Sequence, residues 1–317
     1  MKIAVLTSGG DAPGMNAAIR AVVRAGIKAG HDIIGIKDGY FGLINEDFIT
    51  LDSHSVSGML NLGGTFLGTA RLKEFKDDKV VKQGADILRR HNIDALVVIG
   101  GDGTYKGAYA LYLEGIKTIG IPVTIDNDIY GTDYTIGFST AVGTIVDAID
   151  KLRDTSASHR RCSIVEVMGR ENGDLALHSG ICGGAEFIIT ADNPVNKEDI
   201  IEKLKAYRKE GRRHAIIVIT EKLMDVHKFA EEISEKSGFS SRATVLGYIQ
   251  RGGSPSPEDR ILASRMGAYA INLLDKNISG VAIGVNNANM INLAFSEVIN
   301  KKRAKSELYS LVNKVSS

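Results

Sequence analysis

The chain has 317 residues, 44% hydrophobic and 24% charged, with 39 Lys plus Arg against 38 Asp plus Glu. That length holds one large or two medium domains, and the composition excludes a disordered, fibrous or cysteine-stapled class. A formal net charge of +1 excludes bulk attraction to nucleic acid or a membrane surface, so an anionic ligand must be held by local clusters of Arg and Lys.

The first predicted element is the strand KIAVLT, whose apolar run is too short for a secretory segment or a membrane span. The loop TSGGDAPGMN, residues 7 to 16, follows, and its adjacent glycines let backbone N–H groups approach a phosphate. A helix is predicted over 15–29: Met15, Ile19, Val22, Val23 and Ile27 share one face, while Arg20, Arg24 and Lys28 line another that reads as a solvated stripe. After the strand HDIIGI comes GGTFLG and then TARLKEF, which carries Arg71.

The strand DALVVIGG opens into IGGDGTYKG, where Gly100, Gly101 and Gly103 free the backbone and Asp102 is the only acid. An acid in a phosphate cradle points to magnesium, because an Mg–nucleotide complex takes one or two protein carboxylates. Gly101, Gly103 and Gly107 miss the dinucleotide fingerprint by one residue, and no Gly-Lys pair exists to make a Walker A loop. The strand KTIGIPV then leads into TIDND, residues 124 to 128. If that segment is extended, alternation turns Thr124, Asp126 and Asp128 to one side. Beside a nucleotide cradle, an Asp there is placed to take the proton of an attacking hydroxyl.

The stretch GFST at 137–140 marks a break, after which strand and helix patterns resume with CSIVEVMG, HAIIVITE, ATVLGYI and GVAIGV. This alternation predicts an α/β protein with parallel strands. The later loops offer Arg160, Arg161 and Arg170, then Glu221, then Arg242 and Arg251. So many guanidinium groups at strand ends in a nearly neutral chain favour anion binding. Cys162 and Cys182, without a CxxC or a His at ligand spacing, read as reduced cytoplasmic thiols.

Taken together, LTSGGDAPGMNAAIR, GGTFLGTAR, VVIGGDGT, TIDNDIYGTDYTIGF, VEVMGR, GGAEF, ITE, SRATVLGYIQRGGSP and DRILASRMGAYA make the chain resemble the bacterial ATP-dependent 6-phosphofructokinases nearly end to end. The resemblance implies two domains, each a largely parallel sheet flanked by helices: 1–137 plus 250–300 for ATP, and 138–249 plus 301–317 for the sugar phosphate. It implies transfer of the γ-phosphoryl group of MgATP to the 1-hydroxyl of fructose 6-phosphate. Gly10, Arg71, Leu72, Gly101, Asp102, Gly103 and Thr104 would meet ATP, with Asp102 holding Mg2+. Asp126 would be the base, and Thr124 and Asp128 would orient the sugar and the moving phosphoryl group.

Further along, Met168, Gly169, Arg170 and Glu221 would hold the sugar, while Arg161, Arg242, Tyr248 and Arg251 would serve its phosphates. Arg161 and Arg242 would come from a neighbouring subunit of a homotetramer. Arg20, Arg24, Arg153, Gly184, Glu186, Arg212, Arg213 and His214 would form an effector site for ADP or phosphoenolpyruvate. Neither nucleic acid nor membrane is an implied partner. A pyrophosphate-dependent phosphofructokinase and an inactive nucleotide sensor on the same fold are the alternatives.

Four positions depart from the family's pattern. Tyr248 replaces a usual His at the sugar phosphate, which predicts weaker affinity there. Gly58 replaces a usual Asp, and Glu210 a usual Lys or Arg, which predicts muted effector control. Val123 stands where ATP enzymes commonly carry Gly and pyrophosphate-dependent relatives Lys, while Gly103 favours ATP.

Overall fold

The computed structural model describes residues 1–315 and divides into two units, Met1–Thr140 with Arg251–Arg303, and Ala141–Gln250 with Ala304–Ser317. The strands are β1 (Lys2–Ser8), β2 (Asp32–Ile36), β3 (Phe48–Leu51), β4 (Ala95–Gly100), β5 (Lys117–Pro122), β6 (Arg161–Val167), β7 (Phe187–Ile189), β8 (Ala215–Thr220), β9 (Ser240–Val245), β10 (Val281–Asn286) and β11 (Asn289–Ala294). The helices are α1 (Met15–Lys28), α2 (Gly39–Ile44), α3 (Asp78–Arg90), α4 (Asp102–Leu113), α5 (Phe138–His159), α6 (Asp174–Cys182), α7 (Lys197–Lys209), α8 (Val226–Ser237), α9 (Pro257–Asp275), α10 (Phe295–Val298) and α11 (Tyr309–Val315).

The first unit is built on a sheet of order β11-β10-β5-β4-β1-β2-β3. Its interior strands are parallel, and β3 and β11 pair antiparallel at the two edges. Ile3 to Leu6 and Ala95 to Ile99 are all fully buried, which is why these strands read as unbroken apolar runs: helices cover both faces of the sheet. The chain leaves β1 towards β2 on one side and later places β4 on the other. The order therefore reverses between β1 and β4, where open α/β sheets offer a crevice at the carboxyl ends of their strands.

Helices α1 and α9 pack closely in this unit because Gly267 has no side chain. A Cβ there would lie 2.5 Å from Cβ of Ala21 and 2.9 Å from the backbone N of Val22. Asp259, one of the buried acids of the unit at 1% exposure, accepts from the backbone N of Gly137 at 2.9 Å and of Thr140 at 2.8 Å. It thereby satisfies amides at the start of α5 that have no partner inside that helix.

The second unit has a four-stranded parallel sheet of order β7-β8-β6-β9. Cys162, Ile164, Ile217 and Ile219 meet Ile200, Leu204, Phe229 and Ile233 from α7 and α8 in its core. The caps of these helices are side-chain carbonyl and carboxylate groups: Asn196 accepts from the N–H of Glu198 and Asp225 from those of His227 and Lys228. Among the described residues no helix is long and apolar enough to cross a membrane.

The α/β alternation expected from the pattern is what forms. The predicted strand ATVLGYI is displaced: β9 begins earlier, at Ser240, and ends at Val245. Gly247, at φ 56, then turns the chain into a short 3-10 segment, Gly247–Arg251.

Candidate functional site

In the first unit the two glycine-rich loops lie where the sheet order reverses. The loop after β1 turns at Gly9, φ 90, and Gly14, φ 103, values that glycine adopts without a Cβ penalty. The loop after β4 passes straight into the first turn of α4, so Asp102, Gly103 and Thr104 are helical rather than free loop residues. Thr104 Oγ1 donates to the carbonyl of Ser8 at 2.9 Å and ties the second loop to the first. Tyr40 donates its hydroxyl to the carbonyl of Thr104 at 2.6 Å. The free N–H groups and positive end of α4 thus face the same region as the first loop, an arrangement suited to phosphate.

Gly103 has no atom within 4 Å of where a Cβ would stand, so the space above it is open. Asp102 is half exposed and 2.7 Å from Lys106 one turn on. No cluster of three or more His, Cys, Asp or Glu suited to a metal exists among the described residues. Arg71 is exposed, and Leu72 packs against the core of this unit.

TIDND departs from the extended geometry. After Pro122 the chain turns at residues 125 and 126, and Asn127 takes a left-handed φ of 52. Strand alternation therefore does not align Thr124, Asp126 and Asp128. A tight turn joins Thr124 and Asp126 instead: the N–H of Asp126 donates to Thr124 Oγ1 at 3.2 Å, and Thr135 Oγ1 donates to the carbonyl of Thr124 at 2.6 Å. Asp126 is 2% exposed, while Thr124 and Asp128 are half-buried. A Cβ on Gly101 would lie 3.9 Å from Cβ of Thr124, so the turn adjoins the cradle. Val123 is 1% exposed, and a lysine in its place would bury an ammonium group, which is costly without a partner.

Arg251 lies against the first glycine loop. Its Nη1 lies 2.0 Å from where a Cβ on Gly10 would be, so its guanidinium rests on the first glycine loop. Gly10 is small because an arginine covers it.

In the second unit, the loop after β6 is held by three backbone contacts. The N–H of Met168 donates to Gln250 Oε1 at 3.1 Å, that of Arg170 to Glu221 Oε1 at 3.2 Å, and that of Asn172 to the carbonyl of Gly169 at 2.9 Å. Gly169, at φ 131, leaves only 2.5 Å between a Cβ and the carbonyl of Asn172. Met168, Gly169, Arg170 and Glu221 are therefore brought together at the carboxyl end of the sheet. Gln250, the buried amide that fixes Met168, carried no signal in the sequence.

Arg161 and Arg242 are not brought to that loop. Arg161 opens β6, and Arg242 pairs opposite Ser163 on β9, so both lie on one face near the amino end of these strands. Met168 lies seven residues on from Arg161, just past the end of β6, about 23 Å at the usual rise. Tyr248 is 80% exposed.

The effector candidates divide between the units. Arg20 and Arg24 lie on α1, where burial, and then the Arg24 charge, lowers the Arg20 pKa. In the second unit Arg153 donates to the carbonyls of Gly183 and, at 3.0 Å, Gly184, and meets His214 Nε2 at 3.0 Å. Glu186 accepts from the N–H of Ile216 at 2.6 Å, and Arg213 donates to the carbonyl of Ala157 at 3.1 Å. Arg212 stacks 4.0 Å from the ring centre of Tyr207 and reaches Glu210 at 3.4 Å. Gly58 sits at φ 70, a conformation that explains glycine there.

Next to the loop after β6, burial pushes the Glu166 carboxyl above its ordinary range, with the Glu221 and Asp225 charges adding and His227 opposing. The folded chain then holds this proton more tightly than the unfolded chain. Its stabilising share falls as pH rises from the ordinary value of 4.5 through the raised one. Urea midpoints measured across that range should drop more steeply for the wild type than for Glu166→Gln; parallel curves would remove Glu166 from the account.

Comparison with known proteins agrees with this geometry. The phosphofructokinase family model matches residues 2–274. An ATP-dependent 6-phosphofructokinase of Haemophilus ducreyi is 54% identical over 317 residues, 99% of this chain and 98% of that protein. The phosphofructokinase structure from Saccharomyces cerevisiae superposes with a TM-score of 0.86 at 34% identity, over 99% of this chain and 46% of that longer one. A pyrophosphate-dependent phosphofructokinase from Marinobacter aquaeolei, at 22% identity and a TM-score of 0.85 over 98% of this chain and 86% of that one, shares the fold. The chain belongs to the phosphofructokinase family.

Proposed function

We propose that the protein is an ATP-dependent 6-phosphofructokinase, moving the γ-phosphoryl group of ATP to the 1-hydroxyl of fructose 6-phosphate in glycolysis. The observation that carries this reading is the junction of the two glycine loops and the TIDND turn at one reversal of a parallel sheet. Near end-to-end likeness to an enzyme of that name supports it.

The phosphates of ATP would rest on Gly10 and on the Gly101–Thr104 turn, with Arg71 and Leu72 beside them. Asp102 would hold the magnesium ion, which supplies charge neutralisation for the phosphates. Asp126 would take the proton of the 1-hydroxyl as its oxygen bonds to the γ-phosphorus and the bond to the ADP oxygen breaks. Thr124 and Asp128 would orient the reacting groups. Arg71, Arg161 and Arg251 would balance the charge spread over the moving phosphoryl group.

Met168, Gly169, Arg170 and Glu221 would hold the sugar, with Tyr248 at its phosphate. Because Arg161 and Arg242 lie at the far end of their strands from Met168, they would serve a neighbouring copy, which supports a homotetramer. The cluster around Arg153, Gly184, Glu186, Arg213 and His214 would take an anionic effector such as ADP or phosphoenolpyruvate, in a site between subunits that Arg20 and Arg24 of a neighbouring copy would complete. Glu210, already paired with Arg212, would blunt it. Cytoplasmic residence accords with a glycolytic role.

The test is to supply magnesium and fructose 6-phosphate with either ATP or pyrophosphate and to quantify fructose 1,6-bisphosphate. Product with ATP alone is expected; product mainly with pyrophosphate, or none, would overturn the reading. Since no protein atom opposes a side chain at Gly103, Gly103→Asp should fold normally yet raise KM for ATP at least tenfold, by placing an acid near the phosphates. An unchanged KM would show that ATP does not pass close to this residue.

A further inference from the structure

The turn that carries Asp126 is shaped by a residue from much later in the chain. Arg303, the last residue of the first unit, donates from Nη1 to the carbonyls of Asn127 at 3.1 Å and Thr132 at 3.0 Å, and from Nη2 to the carbonyl of Asp133 at 2.8 Å. Three backbone carbonyls of one excursion thus converge on a single guanidinium. Asn127 lies between the two acids in a left-handed conformation. Fixing its carbonyl fixes the peptide that joins it to Asp128, next to Asp126.

A second contact comes from the same segment. Lys301, paired with Glu297 at 2.7 Å, places its ammonium 5.1 Å from the centre of the Tyr130 ring, within the range of cation–π attraction. Asn127 completes the clamp from inside the loop. Its Oδ1 accepts from the N–H of Thr135 at 2.9 Å, and its Nδ2 donates to the carbonyl of Asp133 at 3.3 Å. Arginine suits this place because its planar fork serves several acceptors at once, whereas lysine offers a point charge. Arg303 is half-buried, so its charge-assisted bonds are partly sheltered from water.

We propose that Arg303 is a positioning residue for phosphoryl transfer, holding the 124–135 loop so that Asp126 stands in its productive place. The three groups it holds in this way are backbone carbonyls of that loop rather than parts of the glycine loops. The inference rests on Asp126 being the base.

Arg303→Ala, Arg303→Lys and Asp126→Asn are to be compared in the full-length protein, with initial rates, thermal midpoints and ATP saturation measured for each. Arg303→Ala is expected to lower kcat by about 10- to 100-fold, the scale of a reacting group displaced by an ångström or less. KM for ATP should stay within about twofold, because the glycine loops are untouched. Millimolar guanidinium ion should restore part of the lost rate to Arg303→Ala, and Arg303→Lys should fall between the alanine variant and wild type. A wild-type kcat in Arg303→Ala with an inactive Asp126→Asn would overturn the positioning role and leave the base intact. A rate loss that tracks the loss of folded protein, with no rescue by guanidinium or lysine, would overturn it as well. Activity retained in Asp126→Asn would remove the base reading and this inference with it.

Discussion

Asp126→Asn should lower kcat about 100- to 10,000-fold, the usual worth of a general base, with KM for ATP nearly unchanged. Asparagine matches aspartate in size and keeps one acceptor oxygen, so the packing around this 2%-exposed side chain is preserved while the proton acceptor is lost. The rate of fructose 1,6-bisphosphate formation at saturating substrates is the direct measure. A loss under tenfold would transfer the role to another group, with Asp128 the next acid to replace.

The second large effect falls on stability. Gly267→Val would set a branched side chain 2.5 Å from Cβ of Ala21, 2.9 Å from the N of Val22 and 3.0 Å from the carbonyl of Ala18. Two of those three atoms are helix backbone and cannot rotate away, so α1 and α9 must separate. Overpacking in a tight core costs about 1–3 kcal/mol and more where backbone must move; a loss at the upper end of that range or beyond is expected in urea unfolding. The first glycine loop follows β1 directly and precedes α1, so ATP affinity should weaken in the same variant. A urea midpoint equal to the wild type would mean that the helices already have room.

Much of the fold was legible because burial on both faces writes a parallel strand as a solid apolar run. Ile3 to Leu6, Leu96 to Ile99 and Ile216 to Ile219 are all fully buried and could be read from the sequence alone. The strands that went unread are β3, β7 and β11, short or at an edge. At an edge only part of a strand is covered, so FITL and NMINLA carry polar residues and lose the signature. β9 was placed too late for a related reason: its first residues, Ser240 and Ser241, pair through their backbone with β6, and backbone pairing leaves no trace in side-chain hydropathy.

The site was legible where chemistry demands particular residue types, as in GGDGT and TIDND. It was not legible where a side chain acts on backbone from far away. Arg303 looks like one member of a basic run, and Gln250 like an ordinary polar residue, because neither the carbonyls nor the amide they hold are encoded by any nearby spacing. The turn at Asn127 was missed on the same ground. A left-handed asparagine inside an otherwise extended-looking stretch becomes visible only through the Thr135 and Arg303 contacts that stabilise it.

The split of the first unit into Met1–Thr140 and Arg251–Arg303 has a consequence for synthesis on the ribosome. β5 receives its outer neighbour only when Val281 and Ala282 pair with Ile119 and Gly120, so from Pro122 until β10 has been translated that strand has an unpaired rim. The whole second sheet, β6 to β9, is made in this interval and can close on itself first. Nascent chains stalled between the two segments should therefore expose an apolar β5 rim prone to joining other chains, and a partner that shields it during translation would raise yield without changing the finished protein.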